Sequence, residues 1–270
     1  MFDKGLAQKA AENLRKVRER KPLIHCITNY VTMNYTANAL LACGASAVMA
    51  HGEEEVEEMV CLADALVLNL GTLTKVRAAS MAKAGKSAGK RRVPIVLDPV
   101  GVGATAFRTS SCQRLMEELP IRVIRGNASE ILSLVQGGAQ PRGVESVHPV
   151  DEATGAALKL AQERGMTIAV SGRIDSVTDG KKVCRVYNGH TMMTRMTGAG
   201  CTATVMIAAF LAAGAHPFEA TVAALSYFGL AAEKAAQASD GPGSFQVRLL
   251  DALYGMKEKD LRLGAKIEVA

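Results

Sequence analysis

The stretch MTGAGC at 196–201 stands directly before an apolar, alanine-rich run over residues 202–213. Its two glycines let the backbone approach a ligand closely, and the first N–H groups of a helix have no partner within the helix. We therefore predict a tight turn that opens a buried helix and offers free N–H donors to an anion. Cys201 falls in the first helical turn, where a thiolate is favoured. A turn that only reverses the chain before a core helix would show the same pattern.

Short apolar runs alternate with helical segments in the chain that precedes this turn. Strands are predicted over 23–27, 45–49, 65–68, 95–97, 122–124, 167–170, 176–178, 183–186 and 191–192. Helices are predicted over 33–42, 53–62, 76–89, 109–119, 129–135 and 151–164, and the chain after residue 200 is predicted to be nearly all helical. Such alternation is typical of an α/β fold with a mostly parallel sheet covered on both faces.

The chain of 270 residues is long enough to bury a large core, and we predict a single domain over residues 1–270. The stretch 137–150, rich in glycine and proline, is predicted to be a loop within that domain and not a linker. We expect the charged start of the chain to be neither a signal peptide nor a membrane anchor. The six cysteines form no CxxC pair, so we expect neither a zinc site nor a disulfide framework, and a cytoplasmic location.

Basic residues give the chain a formal net charge of +6 and concentrate at 15–21 and 83–92. Aromatic residues do not interleave with them, as single-stranded nucleic-acid binding would favour. We therefore expect no nucleic-acid partner and no membrane partner, and we take the charge to suit small anionic substrates.

Polar residues follow several of the predicted strands, and parallel α/β sheets bind ligands beyond the carboxyl ends of their strands. These residues are Thr28, Asn29, Asp98, Arg125, Asn127, Glu130 and Ser171. Carboxylates provide the hard oxygen ligands that Mg²⁺ prefers, and a guanidinium offsets phosphate charge. Together with the glycine-rich turn, this set indicates Mg²⁺-assisted phosphoryl transfer.

Purely structural interpretations remain open for individual members of this set. Asn127 and Glu130 have the spacing of a capping box at a helix start, and Asp98 before Pro99 is typical of a turn. The five histidines are dispersed without metal-ligand spacing and are interpreted as packing or surface residues. The cysteines other than Cys201 are interpreted as small buried hydrophobic residues.

Six segments, spread over nearly the whole chain, resemble the hydroxyethylthiazole kinase family of the ribokinase-like superfamily. They are PLIHCITN at 22–29, LVLNLGTL at 66–73, LDPVG at 97–101, RGNASE at 125–130, TGAGC at 197–201 and GPGSF at 241–245. The resemblance implies a ribokinase-like three-layer αβα sandwich. It also implies ATP-dependent phosphorylation of the hydroxyl of 4-methyl-5-(2-hydroxyethyl)thiazole with Mg²⁺, for thiazole salvage in thiamine biosynthesis. A homotrimer with active sites at the subunit interfaces is implied as well.

The resemblance further implies roles for individual residues. It implies thiazole binding by Asn29, Met49 and Gly198, ATP binding by Arg125, Asn127 and Ser171, and Mg²⁺ organisation by Asp98 and Glu130. Most related sugar kinases place an aspartate base directly after the Gly-Ala-Gly turn, whereas this chain has Cys201 there. Cys201 is the catalytic residue that the resemblance implies, and the identity of the proton acceptor stays open.

Three alternative functions remain at this point. A hydroxymethylpyrimidine or pyridoxal kinase would share the fold and can share the cysteine. A cysteine-nucleophile acyltransferase or hydrolase would need a base beside Cys201, yet no histidine follows a predicted strand convincingly. A ligand-binding protein that has lost activity would not need Asp98, Glu130 and Cys201 together.

Overall fold

The computed structural model describes residues 1–136 and 150–270. Its strands are β1 Leu23–Ile27, β2 Ser46–Val48, β3 Ala65–Asn69, β4 Ile95–Asp98, β5 Ile121–Asn127, β6 Thr167–Ser171, β7 Asp175–Thr178, β8 Val183–Val186 and β9 Ile267–Val269. Its helices are α1 Lys4–Arg20, α2 Met33–Cys43, α3 Val56–Leu62, α4 Lys75–Arg91, α5 Ala106–Glu118, α6 Ala128–Gln136, α7 Val150–Arg164, α8 Ala199–Ala212, α9 Pro217–Gln237, α10 Pro242–Gly255 and α11 Glu258–Gly264. Apart from Val150, the loop predicted over 137–150 lies outside the described residues.

The strands form one sheet in the order β2-β1-β3-β4-β5-β6-β7-β8-β9. The first six strands in this order pair in parallel. Each of β7, β8 and β9 pairs antiparallel with the strand before it in the order. Parallel pairing brings the carboxyl ends of β1 to β6 to a single edge of the sheet, which we call the carboxyl edge. The predicted, mostly parallel sheet is confirmed.

Two apolar cores cover the faces of the sheet, because successive side chains of a strand point to opposite faces. In β3, Val67 packs into the core formed with α1, α2 and α8 to α11. Its neighbours Leu66 and Leu68 pack into the core formed with α3 to α7. The structure is therefore the expected three-layer αβα arrangement.

Helix α8 lies in the middle of the first core, and its residues from Thr202 to Leu211 are all buried. A helix that is apolar on all sides needs protein on all sides, and contacts with α2, α9, β3 and β4 supply it. This burial fixes the amino-terminal end of α8 against the carboxyl edge.

Two short segments differ from the prediction. Residues 191–192 were predicted as a strand, which is wrong: Thr191–Arg195 is a 3₁₀ helix whose start is capped by His190, since its Nδ1 accepts the N–H of Met192 at 3.2 Å. The predicted helical end of the chain is interrupted by β9, which pairs with β8. Among the described helices, none has the length and apolarity needed to cross a membrane.

Candidate active site

The carboxyl edge carries most of the polar residues that the sequence singled out. The register pairs Asn69 with Asp98 across β3 and β4, and Asn127 with Ser171 across β5 and β6. Asn29 follows β1 after one intervening residue. The common rim predicted from the strand ends is therefore present.

The turn before α8 has the geometry that its two glycines allow. Gly198 has a φ of +86°, and a Cβ at this position would lie 2.5 Å from the Cγ2 atom of Thr32. A Cβ on Gly200 would lie 2.5 Å from Nη1 of Arg125. Gly198 thus excludes a side chain through its backbone conformation and through Thr32, whereas a side chain at Gly200 would displace the guanidinium of Arg125. The predicted tight turn that opens a buried helix is confirmed.

The sulfur of Cys201 lies between two side-chain amides. Nδ2 of Asn29 is 3.3 Å from the Sγ atom, and Nδ2 of Asn69 is 3.2 Å from it. Burial and the nearby charge of Asp98 nevertheless raise the pKa of the Cys201 thiol, and the amide hydrogen bonds only partly offset this. The expectation that the helix start favours a thiolate is therefore wrong in direction, because it neglected desolvation and Asp98.

Asp98 is fully buried at the end of β4. Its Oδ2 atom accepts hydrogen bonds from Nδ2 of Asn69 at 2.7 Å and from the hydroxyl of Thr204 at 2.9 Å. Its Oδ1 atom has no hydrogen-bond partner among the described residues and lies 3.9 Å from Nη1 of Arg125. Burial raises the pKa of Asp98, and the charge of Arg125 opposes that rise. A buried carboxylate with one free oxygen suits a cation.

Glu130 forms the capping box that its spacing from Asn127 predicted as one alternative. Its Oε2 atom accepts the N–H of Asn127 at 2.8 Å, and Oδ1 of Asn127 accepts the N–H of Glu130 at 2.9 Å. Its Oε1 atom accepts the N–H of Gly101 at 2.9 Å. Burial, with the charge of Asp98 in the same direction, raises the pKa of Glu130 to about 7. Glu130 therefore joins the start of α6 to the loop after Asp98.

Asp98 does not use its side chain to start a turn, which was the structural alternative for it. Only its backbone carbonyl takes part in the turn, accepting the N–H of Val100 at 2.9 Å. The side chain faces Asn69 and Thr204 instead. The carboxylate is therefore available to a ligand at the carboxyl edge.

Arg125 and Ser171 lie side by side at the ends of β5 and β6. Nη2 of Arg125 donates a hydrogen bond to the hydroxyl of Ser171, which in turn donates to the carbonyl of Gly126 at 3.2 Å. The guanidinium also lies against Gly200. This contact brings a fixed positive charge to the free N–H groups at the start of α8, and together they can bind an anion.

A cavity of about 820 Å³ opens beside this anion site, between the β6–β7 turn and α9. Its lining includes Arg125, Ser171 and Gly200 at one end and the apolar side chains of Leu225 and Phe228. Polar groups at one end and apolar walls elsewhere are typical of a small-molecule site. The 3₁₀ helix Thr191–Arg195 contributes part of the wall.

Met49 follows the edge strand β2 and is partly buried against the first core. Its carbonyl oxygen lies 3.1 Å from Nδ1 of His51. Since β2 neighbours β1, Met49 and Asn29 follow adjacent strands at the carboxyl edge. Met49 therefore lies at the same edge of the sheet as Asn29, one strand away.

Asn69 and Thr204 are site residues that the sequence analysis missed. Asn69 ends β3, so the rule that selected Asp98 would have selected it as well. Thr204 lies within the apolar run of α8 and carries no local signal.

His25 packs in the core, where its Nε2 lies 2.7 Å from the carbonyl of Ala50. His148 lies outside the described residues.

Known proteins similar to this chain point to one family. The family model described as "Hydroxyethylthiazole kinase family" matches residues 14–259. Hydroxyethylthiazole kinase of Desulfotalea psychrophila is 52% identical over 259 residues, which cover 96% of this chain and 95% of that protein. The corresponding protein of Chloroflexus aurantiacus is 51% identical, and the match covers 97% of each chain.

Solved structures agree with this result. The structure of a hydroxyethylthiazole kinase protein from Pyrococcus horikoshii OT3 is similar with a TM-score of 0.89 and 46% identity, covering 97% of this chain and 98% of that one. A ribokinase-like superfamily protein from Enterococcus faecalis V583 has a TM-score of 0.68 at 14% identity, covering 95% of this chain and 96% of that one, and it shows the fold alone. The chain therefore has a ribokinase-like fold and belongs to the hydroxyethylthiazole kinase family.

Proposed function

We propose that this chain transfers a phosphoryl group from ATP to the hydroxyl of 4-methyl-5-(2-hydroxyethyl)thiazole, in thiazole salvage for thiamine biosynthesis. The chain is a member of this kinase family, and one observation carries the proposal. The first turn of α8 bears Cys201, and Arg125, which lines one end of the cavity, lies against Gly200 in the same turn. A donor phosphate and an acceptor alcohol can meet at that point.

ATP is proposed to occupy the cavity of about 820 Å³. Leu225 and Phe228 supply apolar surface for a base, while Arg125 and Ser171 lie where phosphates would approach the start of α8. Asn127, which pairs with Ser171 across the strands, completes the ATP-binding set. Phosphates placed there would meet free N–H groups, a helix end of positive potential and a guanidinium.

Mg²⁺ is proposed to bind on the side of Asp98 and Glu130. The free Oδ1 atom of Asp98 fits this ion, because Mg²⁺ prefers oxygen and binds through one or two carboxylates together with phosphates and water. Glu130 would add negative charge and hold the loop after Asp98. When bound, the ion would offset charge on the transferred phosphoryl group.

The thiazole is proposed to lie beside Asn29, Met49 and Gly198, with its hydroxyl toward Cys201. In the reaction the alcohol oxygen bonds to the γ-phosphorus of ATP, the bond to the bridging oxygen breaks, and ADP leaves. The alcohol proton then needs an acceptor, for which we propose the Cys201 sulfur in its thiolate form. Arg125 and the N–H groups of the turn at Gly200 stabilise the transferred charge.

A covalent role for Cys201 finds less support. Asn29 and Asn69 donate to its sulfur, and their amides do not take up a proton as a catalytic histidine would. Mass spectrometry during turnover tests this point. An adduct on Cys201 would contradict its proposed role as a proton acceptor.

We also propose that residues 1–270 act as one domain and assemble as a homotrimer with sites shared between neighbours. Tyr30 and Val31, which follow Asn29 in the chain, and Val76 expose apolar surface. Arg77 contacts the ring of Tyr30 at 4.4 Å, so the start of α4 lies beside the segment after Asn29. A neighbouring subunit would cover this surface. A light-scattering mass of one 28.4 kDa chain in active protein would contradict the trimer.

A cytoplasmic location is proposed from the cysteines. All six are free thiols, which persist in a reducing compartment.

The substrate proposal is tested by following ADP release from ATP with each of three alcohols. We expect turnover with hydroxyethylthiazole to exceed turnover with hydroxymethylpyrimidine and pyridoxal by at least about tenfold, the size of one lost polar contact. Equal or faster turnover with either of the other alcohols would overturn the substrate and leave the kinase class standing.

A further inference from the structure

The side-chain amide of Asn69 is fully engaged at the carboxyl edge. Its Nδ2 atom donates to Oδ2 of Asp98 at 2.7 Å and to Sγ of Cys201 at 3.2 Å. Its Oδ1 atom accepts from Nδ2 of Asn29 and from the N–H of Gly71, both at 2.9 Å. One buried, planar group therefore connects Cys201, Asp98 and the turn after β3.

The orientation of this amide is determined by a backbone donor. The N–H of Gly71 can only donate, so the Asn69 atom that receives it must be the oxygen. The same argument holds for Asn29, whose Oδ1 atom accepts the N–H of Thr32 at 3.0 Å. Both amide nitrogens therefore face the sulfur of Cys201 and use their remaining N–H groups on it.

The sulfur of Cys201 is consequently a double hydrogen-bond acceptor. Two N–H groups restrict the rotation of the Cys201 side chain and stabilise negative charge on its sulfur. Burial and Asp98 act in the opposite direction on the same atom. Because one amide nitrogen touches both Oδ2 of Asp98 and Sγ of Cys201, it also sets how far apart these two atoms lie.

We propose that Asn69 is a positioning residue that acts through Cys201. Its amide orients the Cys201 sulfur to accept the alcohol proton and holds it at a fixed distance from Oδ2 of Asp98. The inference rests on the proposed kinase function, in which that sulfur takes the alcohol proton. The alternative is that Asn69 merely stabilises the turn at Gly71.

A double-mutant cycle separates these two roles. We expect Asn69→Ala to lower kcat by about tenfold or more, the loss of a hydrogen bond to a charged group, while KM for ATP changes less than about threefold. In a Cys201→Ala background the same change should cost several-fold less, because the hydrogen bond to the sulfur is already gone and only the contacts with Asp98, Asn29 and Gly71 remain to be lost. An equal loss in both backgrounds would overturn the proposal.

Thr204→Val is the matched control for the Asp98 side of the network. It removes the other donor to Oδ2 of Asp98 without a hydrogen bond to Cys201. We expect its effect on kcat to be the same, within about twofold, with and without Cys201. If the effect of Thr204→Val on kcat depended on Cys201 as strongly as the effect of Asn69→Ala does, Asn69 would act on kcat by way of Asp98. In that case the proposal would fail.

A readout without catalysis keeps the inference apart from the proposed function. The pH midpoint for alkylation of Cys201 by iodoacetamide, followed on its peptide by mass spectrometry, should rise in Asn69→Ala because a donor to the thiolate is lost. An unchanged midpoint in folded protein would contradict the proposal, even if the chain phosphorylates a different alcohol. Asn69→Ser, whose hydroxyl can still accept the N–H of Gly71, replaces the alanine variant if the latter does not fold.

Discussion

Two carboxylates at the same sheet edge, Asp98 and Glu130, have similar surroundings but different partners. Both are buried, with 0% and 6% of their surface exposed, and burial raises the pKa of each. Each oxygen of Glu130 accepts a backbone N–H. In Asp98 only Oδ2 accepts hydrogen bonds, from side chains, and Oδ1 has none among the described residues.

The difference indicates what each carboxylate does. Backbone N–H groups occupy Glu130 permanently, so its first effect is to fix the start of α6 and the loop at Gly101. Asp98 is held from one side only, which leaves an oxygen for a ligand. Glu130 should therefore matter more for folding, and Asp98 more for turnover.

The largest expected effect follows from Asp98→Asn. The change removes a charge that we place beside Mg²⁺, and kcat should fall by about 10²-fold or more. The free energy of unfolding should change less than kcat does, because an asparagine oxygen can still accept from Asn69 and Thr204, the cost of burying a charge is removed, and Arg125 keeps its hydrogen bond to Ser171. Turnover at saturating ATP and Mg²⁺, together with the melting temperature, checks this. Asp64→Asn is the control, since Asp64 binds the N–H of Leu23 at the opposite end of β1. A large loss of stability in Asp98→Asn with unchanged kcat would mean that Asp98 serves folding and not turnover.

A smaller loss is expected from replacing Cys201, whose pKa is raised by burial and by the charge of Asp98. Cys201→Ala should lower kcat by about tenfold to a hundredfold and leave thiazole binding largely intact. Cys201→Asp should keep or raise kcat, because a carboxyl group is ordinarily ionised at neutral pH and ready to accept a proton, whereas a thiol of raised pKa is mostly protonated. Cys61→Ala, in α3, is the control. Steady-state kinetics and calorimetric thiazole binding measure the two effects. An inactive aspartate variant that still folds would speak against a proton acceptor here.

Glu130→Gln should act mainly on stability. Glutamine offers one oxygen where two backbone N–H groups now bind, so one buried donor loses its partner at a cost of about 1–3 kcal/mol. Denaturant unfolding measures this cost, and kcat should fall less than in Asp98→Asn. Glu118→Gln, which affects only surface ion pairs with Lys86 and Arg114, should change unfolding far less. If Glu130→Gln left the free energy of unfolding unchanged and lowered kcat more than Asp98→Asn does, then Glu130 would serve turnover and Asp98 folding, which is the reverse of this account.

A further expected effect is a dependence of stability on pH. The pKa of Glu130 is about 7 in the folded protein against an ordinary 4.5. Between these values the folded chain holds a proton that the unfolded chain has lost, so stability falls as pH rises through this window. Unfolding free energy should be lower at about pH 8 than at about pH 5 at fixed protein concentration, and Glu130→Gln should flatten this slope. A slope that is equally steep in the variant would remove Glu130 as its source.

The sequence predicts Glu130 better than Asp98 for a physical reason. The partner of Glu130 in its capping box is three residues away, so spacing alone indicates the contact. Asp98 is contacted by Asn69 and Thr204, which are 29 and 106 residues distant, and only the folded sheet brings them together.

The same distinction holds for the rest of the chain. The alternation of apolar runs predicts the parallel strands well, because each strand carries its own pattern. The 3₁₀ helix Thr191–Arg195 was missed because the strand predicted there covers two residues only, which are too few to show an apolar pattern. The three-residue strand β9 was missed since its pairing with β8 depends on distant chain. The raised pKa of Cys201 likewise depends on burial and on Asp98.

Identification of the product is the most direct test of the proposed reaction. The wild-type chain is incubated with ATP, Mg²⁺ and hydroxyethylthiazole, and the thiazole is examined by mass spectrometry while ADP is measured in parallel. We expect a thiazole that carries one phosphate, formed in equal amount to ADP, and neither product without the enzyme. ADP release with no phosphorylated thiazole would mean that the site transfers phosphate to water or to another acceptor, and the proposed function would be wrong.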